Sequence, residues 1–353
     1  MRAILVDAPR GAPTLTTLPD PDPPAHGAVV EVHATGVCRS DWHAWVGHDP
    51  TIRWPHVPGH EFAGTVRAVG REVRGFVGGE RVTAPFCCGC GGCATCREGH
   101  THLCEREFQP GFDGWGSFAE YVVVPWADVN LARLPDALGA DEAASLGCRF
   151  MTAFHGLIER ARLQAGETVV VFGCGGVGLA CVAIAVGAGA RVIAVDRVPA
   201  KLELARSLGA NEAIDASAVD PVAAVRELTA GGADVAVDAL GSRATAAAGI
   251  RSLRRRGRHL QLGLLLGQDA DPALPIQEVV RRELALIGGH GMPASSYPRL
   301  FRFVLERRLP LERLIGERRP LAEAGAALAA MEGFAPVGVT LLQPMAAPAE
   351  GRP

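Results

Sequence analysis

Two rhythms of apolar positions divide the chain. From residue 1 to about 150, short runs with β-type patterning recur, among them "AVVEVHATGV" (28–37), "EFAGTVRAVG" (61–70) and "FAEYVVVP" (118–125), each set off by glycine or proline. Such runs between chain breakers predict strands joined by turns, and so a mostly β domain. From about residue 165 the pattern changes to "ETVVVFG" (167–173), "VGLACVAIAVGAGA" (177–190), "RVIAVD" (191–196), "PAKLELARSLGA" (199–210) and "ADVAVDALG" (233–241). These read as buried strand, helix, strand, helix and strand, an alternation that predicts a parallel α/β sheet. The rhythm ends after "RRELALIGGHG" (281–291). The expected organisation is a first domain over 1–150, completed by about 290–343, a second over 151–289, and a frayed tail over 344–353.

Composition narrows the class. At 353 residues, 48% hydrophobic and 21% charged, the chain suits two well-buried soluble domains rather than a disordered one. A formal net charge of −3 argues against nucleic acid or an anionic membrane as the main partner. No apolar run reaches membrane-spanning length and the N-terminus has no secretory pattern, so a cytoplasmic protein is expected. Arginine abounds while Lys201 is the only lysine, a bias that reads as coding background and gives most arginines no functional weight.

Candidate chemistry begins where the strand "TVVVF" meets "GCGGVG". Gly173, Gly175 and Gly178 stand at G-x-G-x-x-G spacing, with Gly176 and Val177 inside the turn and an apolar helix after it. The first glycine permits a tight turn, the second lets the backbone approach a pyrophosphate, and the third lets helix pack on strand. Asp196 ends the next strand, 18 residues after Gly178, where a carboxylate can accept both adenosine ribose hydroxyls. A dinucleotide, NAD, is therefore expected. Arg197 follows the aspartate, and Lys201 lies where it could reach the same ribose; a solvated helix lysine is the alternative.

Ten cysteines in a cytosolic chain suggest metal rather than disulfides. Cys90, Cys93 and Cys96 keep C-x2-C intervals and Cys104 returns after a seven-residue loop, which suits a closed tetrahedral thiolate site, most naturally structural zinc. Cys87 keeps the same interval, so Cys87, Cys90, Cys93 and Cys96 form a rival set. Cys174 and Cys181 read as small apolar fillers. A second, scattered set consists of Cys38 in "GVCRSDWHAW", His60 in "VPGHEFAG" and Cys148 in "SLGCRFMTAFHGL". Together these offer two sulfurs and one imidazole, with a fourth position left open.

On these residues the chain resembles the zinc-dependent alcohol dehydrogenases of the medium-chain dehydrogenase/reductase superfamily, from about residue 25 to about 340. The resemblance implies a GroES-like catalytic domain joined to a Rossmann doubly wound parallel-sheet domain. It further implies two zinc ions per subunit, the catalytic one on Cys38, His60 and Cys148, and favours the Cys90, Cys93, Cys96 and Cys104 set for the structural one. Ser40 and His43 would form the proton relay, Asp41 would support His60, and Glu61 would lie behind the metal. Phe86 falls at a substrate-pocket position, and Thr152 and Val177 where the nicotinamide packs. "PVGVTLL" (336–342) lacks the arginine that many relatives carry there for the cofactor phosphate.

The implied reaction interconverts an alcohol with its aldehyde or ketone by hydride transfer to NAD. Trp42, Trp45, Trp54 and Trp115 lie in segments able to line a cleft and favour an apolar or aromatic primary alcohol. A polyol or amino-alcohol dehydrogenase is the alternative within the superfamily, and a non-enzymatic zinc and nucleotide-binding redox sensor the alternative outside it. About 44 residues between Cys104 and Cys148 resemble the shorter bacterial and yeast-like members, so a homo-oligomer, a tetramer rather than a dimer, is expected.

Overall fold

The computed structural model describes residues 1–333 and 336–345; the tail expected at 344–353 lies, from residue 346 on, outside the described residues. The chain divides into two compact units, Met1–Met151 with Gly291–Arg302 and Ile315–Pro353, and Thr152–His290 with Phe303–Leu314.

The first unit is built on a seven-stranded sheet whose long strand, Ala28–Val37, pairs antiparallel with Phe62–Val69, Tyr121–Val124 and Val339–Gln343. Arg81–Thr83 and Ala132–Arg133 extend the sheet on one side, and Ile315–Pro320 runs parallel to Val339–Gln343 on the other. Val30, Val32, Phe62, Val66, Val82, Val122 and Val124 form a shared core. The β-branched residues fit the pleated surface that the apolar runs foretold. Ala28–Val37 has a register shift against Phe62–Val69 between Val32 and Ala34, just before the segment that carries Cys38. Such irregularities re-aim a strand near its end.

The second unit holds a six-stranded, all-parallel sheet in the order Glu212–Asp215, Arg191–Asp196, Thr168–Phe172, Ala233–Asp238, Leu253–Gln261, Ala285–Gly288. The chain starts in the middle, winds one way and then the other, so the order reverses between Thr168–Phe172 and Ala233–Asp238. In open α/β sheets that switch point, beyond the carboxyl ends of the strands, is where ligands bind. The glycine turn leaves Thr168–Phe172 at that place. Among the described residues no helix is long and apolar enough to cross a membrane.

Candidate active site

Cys38 follows the strand Ala28–Val37 directly and stands as N-cap of the helix Arg39–Trp45. A helix start leaves amide donors unmet. Asp41, three residues on, meets one by accepting from the Cys38 amide at 2.8 Å through Oδ2. Its Oδ1 accepts from the Gly59 amide at 3.1 Å and lies 2.9 Å from His60 Nδ1. One fully buried carboxylate thus joins the helix start, the turn before His60 and the His60 ring. With Nδ1 committed to Asp41, Nε2 is the ring atom left to ligate a metal, the arrangement found behind metal-bound histidines.

The start of another helix completes the cluster. Cys148 begins the helix Cys148–Phe154, and one donor atom each from Cys38, His60, Glu61 and Cys148 lie within 4.8 Å of one another. Cys38 is held well below the ordinary thiol range, first by the hydrogen bond from Cys148, then, against burial, by His60 and Arg149. Cys148 is pushed up by that same bond and by burial. Burial works against a charged His60, but the carboxylate of Asp41 and the sulfur of Cys38 outweigh it and raise the imidazole. Two sulfurs and an imidazole, buried and held close, form a donor set that fits zinc. Ser40 Oγ lies 3.1 Å from both Cys38 Sγ and His60 Nε2, on the donor side of the cluster. His43 Nδ1 pairs with His48 Nδ1 at 2.9 Å, and His48 is exposed.

Behind these donors lies a buried ion pair that the sequence reading did not find. Arg149 donates to Glu61 Oε1 from its backbone amide at 3.1 Å and from Nε at 3.0 Å, to Glu61 Oε2 from Nη2, and to the Val37 carbonyl from Nη1 at 3.0 Å. Burial disfavours the Arg149 charge, but Glu61 and Cys38 more than compensate and keep it cationic. Dismissing the many arginines as coding background hid this one; its position next to Cys148 was the available signal.

Aromatic placement departs from expectation. Phe86 stands edge-on to the His60 ring with centroids 6.1 Å apart, and Phe112, not singled out from sequence, does the same at 5.4 Å. Trp42 is instead a core residue, packed with Ile4, Val37, Phe118 and Leu321, and Trp45 lies against the same core. The helix Arg39–Trp45 turns Ser40 towards the donors and Trp42 towards the apolar core. The Arg39 guanidinium covers the Trp42 ring at 3.7 Å. Trp54 meets His56 edge-on at 5.8 Å, and Trp115 is 41% exposed, so neither shows the contact with His60 that Phe86 and Phe112 make.

In the cysteine lobe the sulfurs of Cys90, Cys93, Cys96 and Cys104 gather within 4.8 Å of one another. Cys90 Sγ accepts from the Gly92 amide at 3.4 Å and Arg106 Nη2 at 3.1 Å, and Cys104 Sγ from the Cys90 and Arg106 amides at 3.3 and 3.2 Å. Donors aimed at sulfur stabilise thiolates. At Cys90 burial is the largest single influence and raises the thiol, but the Gly92 and Cys93 amides, Cys104 and Arg106 together outweigh it and bring it down to about 6. Cys87 points elsewhere. Its Sγ lies 4.0 Å from the Met292 carbonyl, and burial raises it to about 12, the behaviour of an inert core thiol.

In the second unit, Gly173 has φ +89° and a Cβ on Gly178 would lie 1.7 Å from the Gly173 carbonyl oxygen, so both positions exclude larger residues. Gly175 faces open space and caps the helix Gly176–Gly187, whose first residues, Gly176 and Val177, offer amides to an anion. Asp196 Oδ2 accepts from the Cys174 amide at 2.6 Å, and Oδ1 from the Arg197 and Val198 amides at 2.7 and 2.9 Å. The carboxylate therefore ties the glycine turn to the strand end. Lys201 is buried in the next helix, not solvated, and Thr152 is buried in the helix Cys148–Phe154.

Comparison with known proteins agrees with this arrangement. The alcohol dehydrogenase GroES-like domain matches residues 24–136, and the zinc-binding dehydrogenase domain residues 176–306. The chain is 33% identical to an NAD-dependent alcohol dehydrogenase of Sulfurisphaera tokodaii over 94% of its own length and 96% of that protein. It is 31% identical to a sorbitol dehydrogenase of Halalkalibacterium halodurans over 86% and 88% of the two chains. The solved structure of the alcohol dehydrogenase TADH from Thermus sp. ATN1 superposes with a TM-score of 0.89 at 31% identity, covering 97% of this chain and 99% of that one. With two donor clusters, a glycine turn at the switch point of a parallel sheet and relatives aligned almost end to end, the chain belongs to the zinc-dependent alcohol dehydrogenases of the medium-chain dehydrogenase/reductase superfamily.

Proposed function

We propose that this chain oxidises a primary alcohol of apolar or aromatic character to its aldehyde, and runs the reverse reduction, with NAD as hydride carrier. Cys38, His60 and Cys148 hold the catalytic zinc, and Cys90, Cys93, Cys96 and Cys104 a structural one. When bound, zinc supplies a Lewis acid that makes an alcohol hydroxyl acidic at neutral pH, and NAD supplies the hydride acceptor. The chain's own residues do the remainder. Asp41 fixes the His60 ring, Ser40 takes the alcohol proton, and His43, paired with the exposed His48, passes a proton towards water. Gly173 to Gly178 take the pyrophosphate at the start of the helix Gly176–Gly187, and Asp196 takes the adenosine ribose with Arg197 and Lys201 nearby. Thr152 and Val177 flank the nicotinamide.

The observation that carries the substrate class is the pair of phenyl edges, Phe86 and Phe112, set against the His60 ring. A site lined this way gains from burying an apolar group and offers few partners to a row of hydroxyls, whose unmet hydrogen bonds are costly. Purified zinc-loaded protein, assayed for NADH production, is expected to favour benzyl alcohol over sorbitol and L-threonine by at least about tenfold in kcat/KM. Sorbitol or L-threonine as the best substrate would replace this reading with the polyol or amino-alcohol one, and the sorbitol-named relative makes that the competitor to measure.

A further inference from the structure

Four donor atoms, not three, come within reach at the Cys38 cluster, because a Glu61 oxygen lies within 4.8 Å of the atoms of Cys38, His60 and Cys148. Four ligands would close a tetrahedral site and leave no position for an alcohol. We propose that Arg149 is a positioning residue that keeps Glu61 from becoming the fourth ligand and so holds the site open. The inference rests on the reading that Cys38, His60 and Cys148 bind zinc.

Both carboxylate oxygens are engaged by Arg149, Oε1 by its amide and Nε, and Oε2 by Nη2. The arginine is itself anchored by the bond from Nη1 to the Val37 carbonyl, so the clamp is fixed at both ends. Space for the pair is built into the chain. A Cβ on Gly36 would lie 2.3 Å from Glu61 Oε2 and 2.8 Å from Arg149 Nη2, and one on Gly147 would lie 2.6 Å from Glu61 Cβ. Ordinary side chains at these two glycines would displace the pair.

Charge gives the clamp its consequence. A divalent zinc with two thiolates and an imidazole is formally neutral, and an added carboxylate would make the cluster anionic and a weaker Lewis acid. A buried carboxylate without Arg149 must find another partner or take up a proton. The metal is the partner within reach.

The test uses full-length protein with cobalt in place of zinc, since the visible absorption of cobalt reports ligand number and type. Imidazole is the added ligand, and release to a chelator is timed. The wild type is expected to bind imidazole at the cobalt. Arg149→Met should bind it about tenfold more weakly and release cobalt about tenfold more slowly, the scale seen when residues supporting metal ligands are changed. The double variant Glu61→Gln/Arg149→Met, which removes both charges, should return to wild-type behaviour. Arg149→Lys keeps the charge but holds the carboxylate less completely, and should shift in the same direction to a smaller degree. Wild-type spectra and release rates in Arg149→Met overturn the proposal, as they do in Arg149→Lys if Arg149→Met does not fold. A wild type that takes up cobalt in the four-cysteine lobe alone overturns the zinc reading itself, a result distinct from the others.

Discussion

At the scale of single residues, protonation decides what the histidines can do. His43 is lowered to about 4, first by partial burial and then by the charges of Arg39 and His48, with Cys38 pulling the other way. A neutral imidazole through the neutral range can accept a proton, as a relay requires. The same shift has a sign in stability. As pH falls the unfolded chain protonates this histidine near its ordinary 6.5, while the folded chain resists until about 4, so stability is lost across that interval and levels off below it. His43→Gln should therefore lose less stability than the wild type between about pH 7 and about pH 5, read from urea midpoints. It should also oxidise alcohol more slowly, most of all at the lower pH, with partial recovery on adding a small base. An unchanged pH–rate profile would remove His43 from proton transfer.

At the scale of elements, the proposed coenzyme preference rests on the strand Arg191–Asp196 and the glycine turn together. Beyond the ribose contact proposed for it, Asp196 accepts from the Cys174, Arg197 and Val198 amides and so fixes the glycine turn proposed to receive the pyrophosphate. Asp215 ends the neighbouring strand in register with Asp196, and the charge of Arg197 acts on it. Two carboxylates at adjacent strand ends disfavour a 2′-phosphate, and NAD should exceed NADP by at least about tenfold in kcat/KM, the ratio from about 1.4 kcal/mol. Asp196→Asn keeps the size of the side chain and removes one charge, so the preference should shrink without inverting while Asp215 remains. Equal efficiency with both coenzymes in the wild type would mean that Asp196 does not meet the ribose. Much of this framework was legible, because "AVVEVHATGV", "TVVVF" and "RVIAVD" carry their apolar pattern within a few residues. The strand Leu253–Gln261, "LRRRGRHLQ", hid behind exposed arginines and is held by neighbours far away in sequence. Trp42 misled for a related reason: aromatic side chains serve cores and pockets alike, and helix orientation, fixed by packing, decides between them. Phe112 and Arg149 acquire their meaning from residues about 50 and 90 positions away, distances over which local pattern is silent.

Across the whole molecule, both clusters able to hold a metal belong to the first unit, and the second holds none among the described residues. The two clusters differ in what depends on them. The lobe from Cys90 to Cys104 has mostly exposed or half-buried residues and short helical turns at Ala94–Arg97 and Thr101–Leu103, so it lacks the apolar burial to hold its shape unaided. A structural metal supplies that kind of stability directly, as folding free energy. Cys38 instead follows the long strand Ala28–Val37, His60 shortly precedes the strand Phe62–Val69 and Cys148 begins a helix, so these donors keep their backbone support without metal. Stepwise treatment with a chelator should first abolish alcohol oxidation, as the metal with an exchangeable position leaves, while the melting temperature changes little. Loss of the second metal should then open the lobe to protease and lower the melting temperature by about 2–4 °C for each kcal/mol lost. Cys104→Ser should reproduce the second stage alone, and Cys87→Ser should not. The parallel sheet of the second unit draws its order from Val170, Phe172, Ile193, Val195 and Ala236 rather than from a metal, so fluorescence titration should show NADH still binding after the first stage. NADH binding that fell in step with the first metal would mean that nucleotide recognition depends on that cluster, and the division of labour between the two units would have to be abandoned.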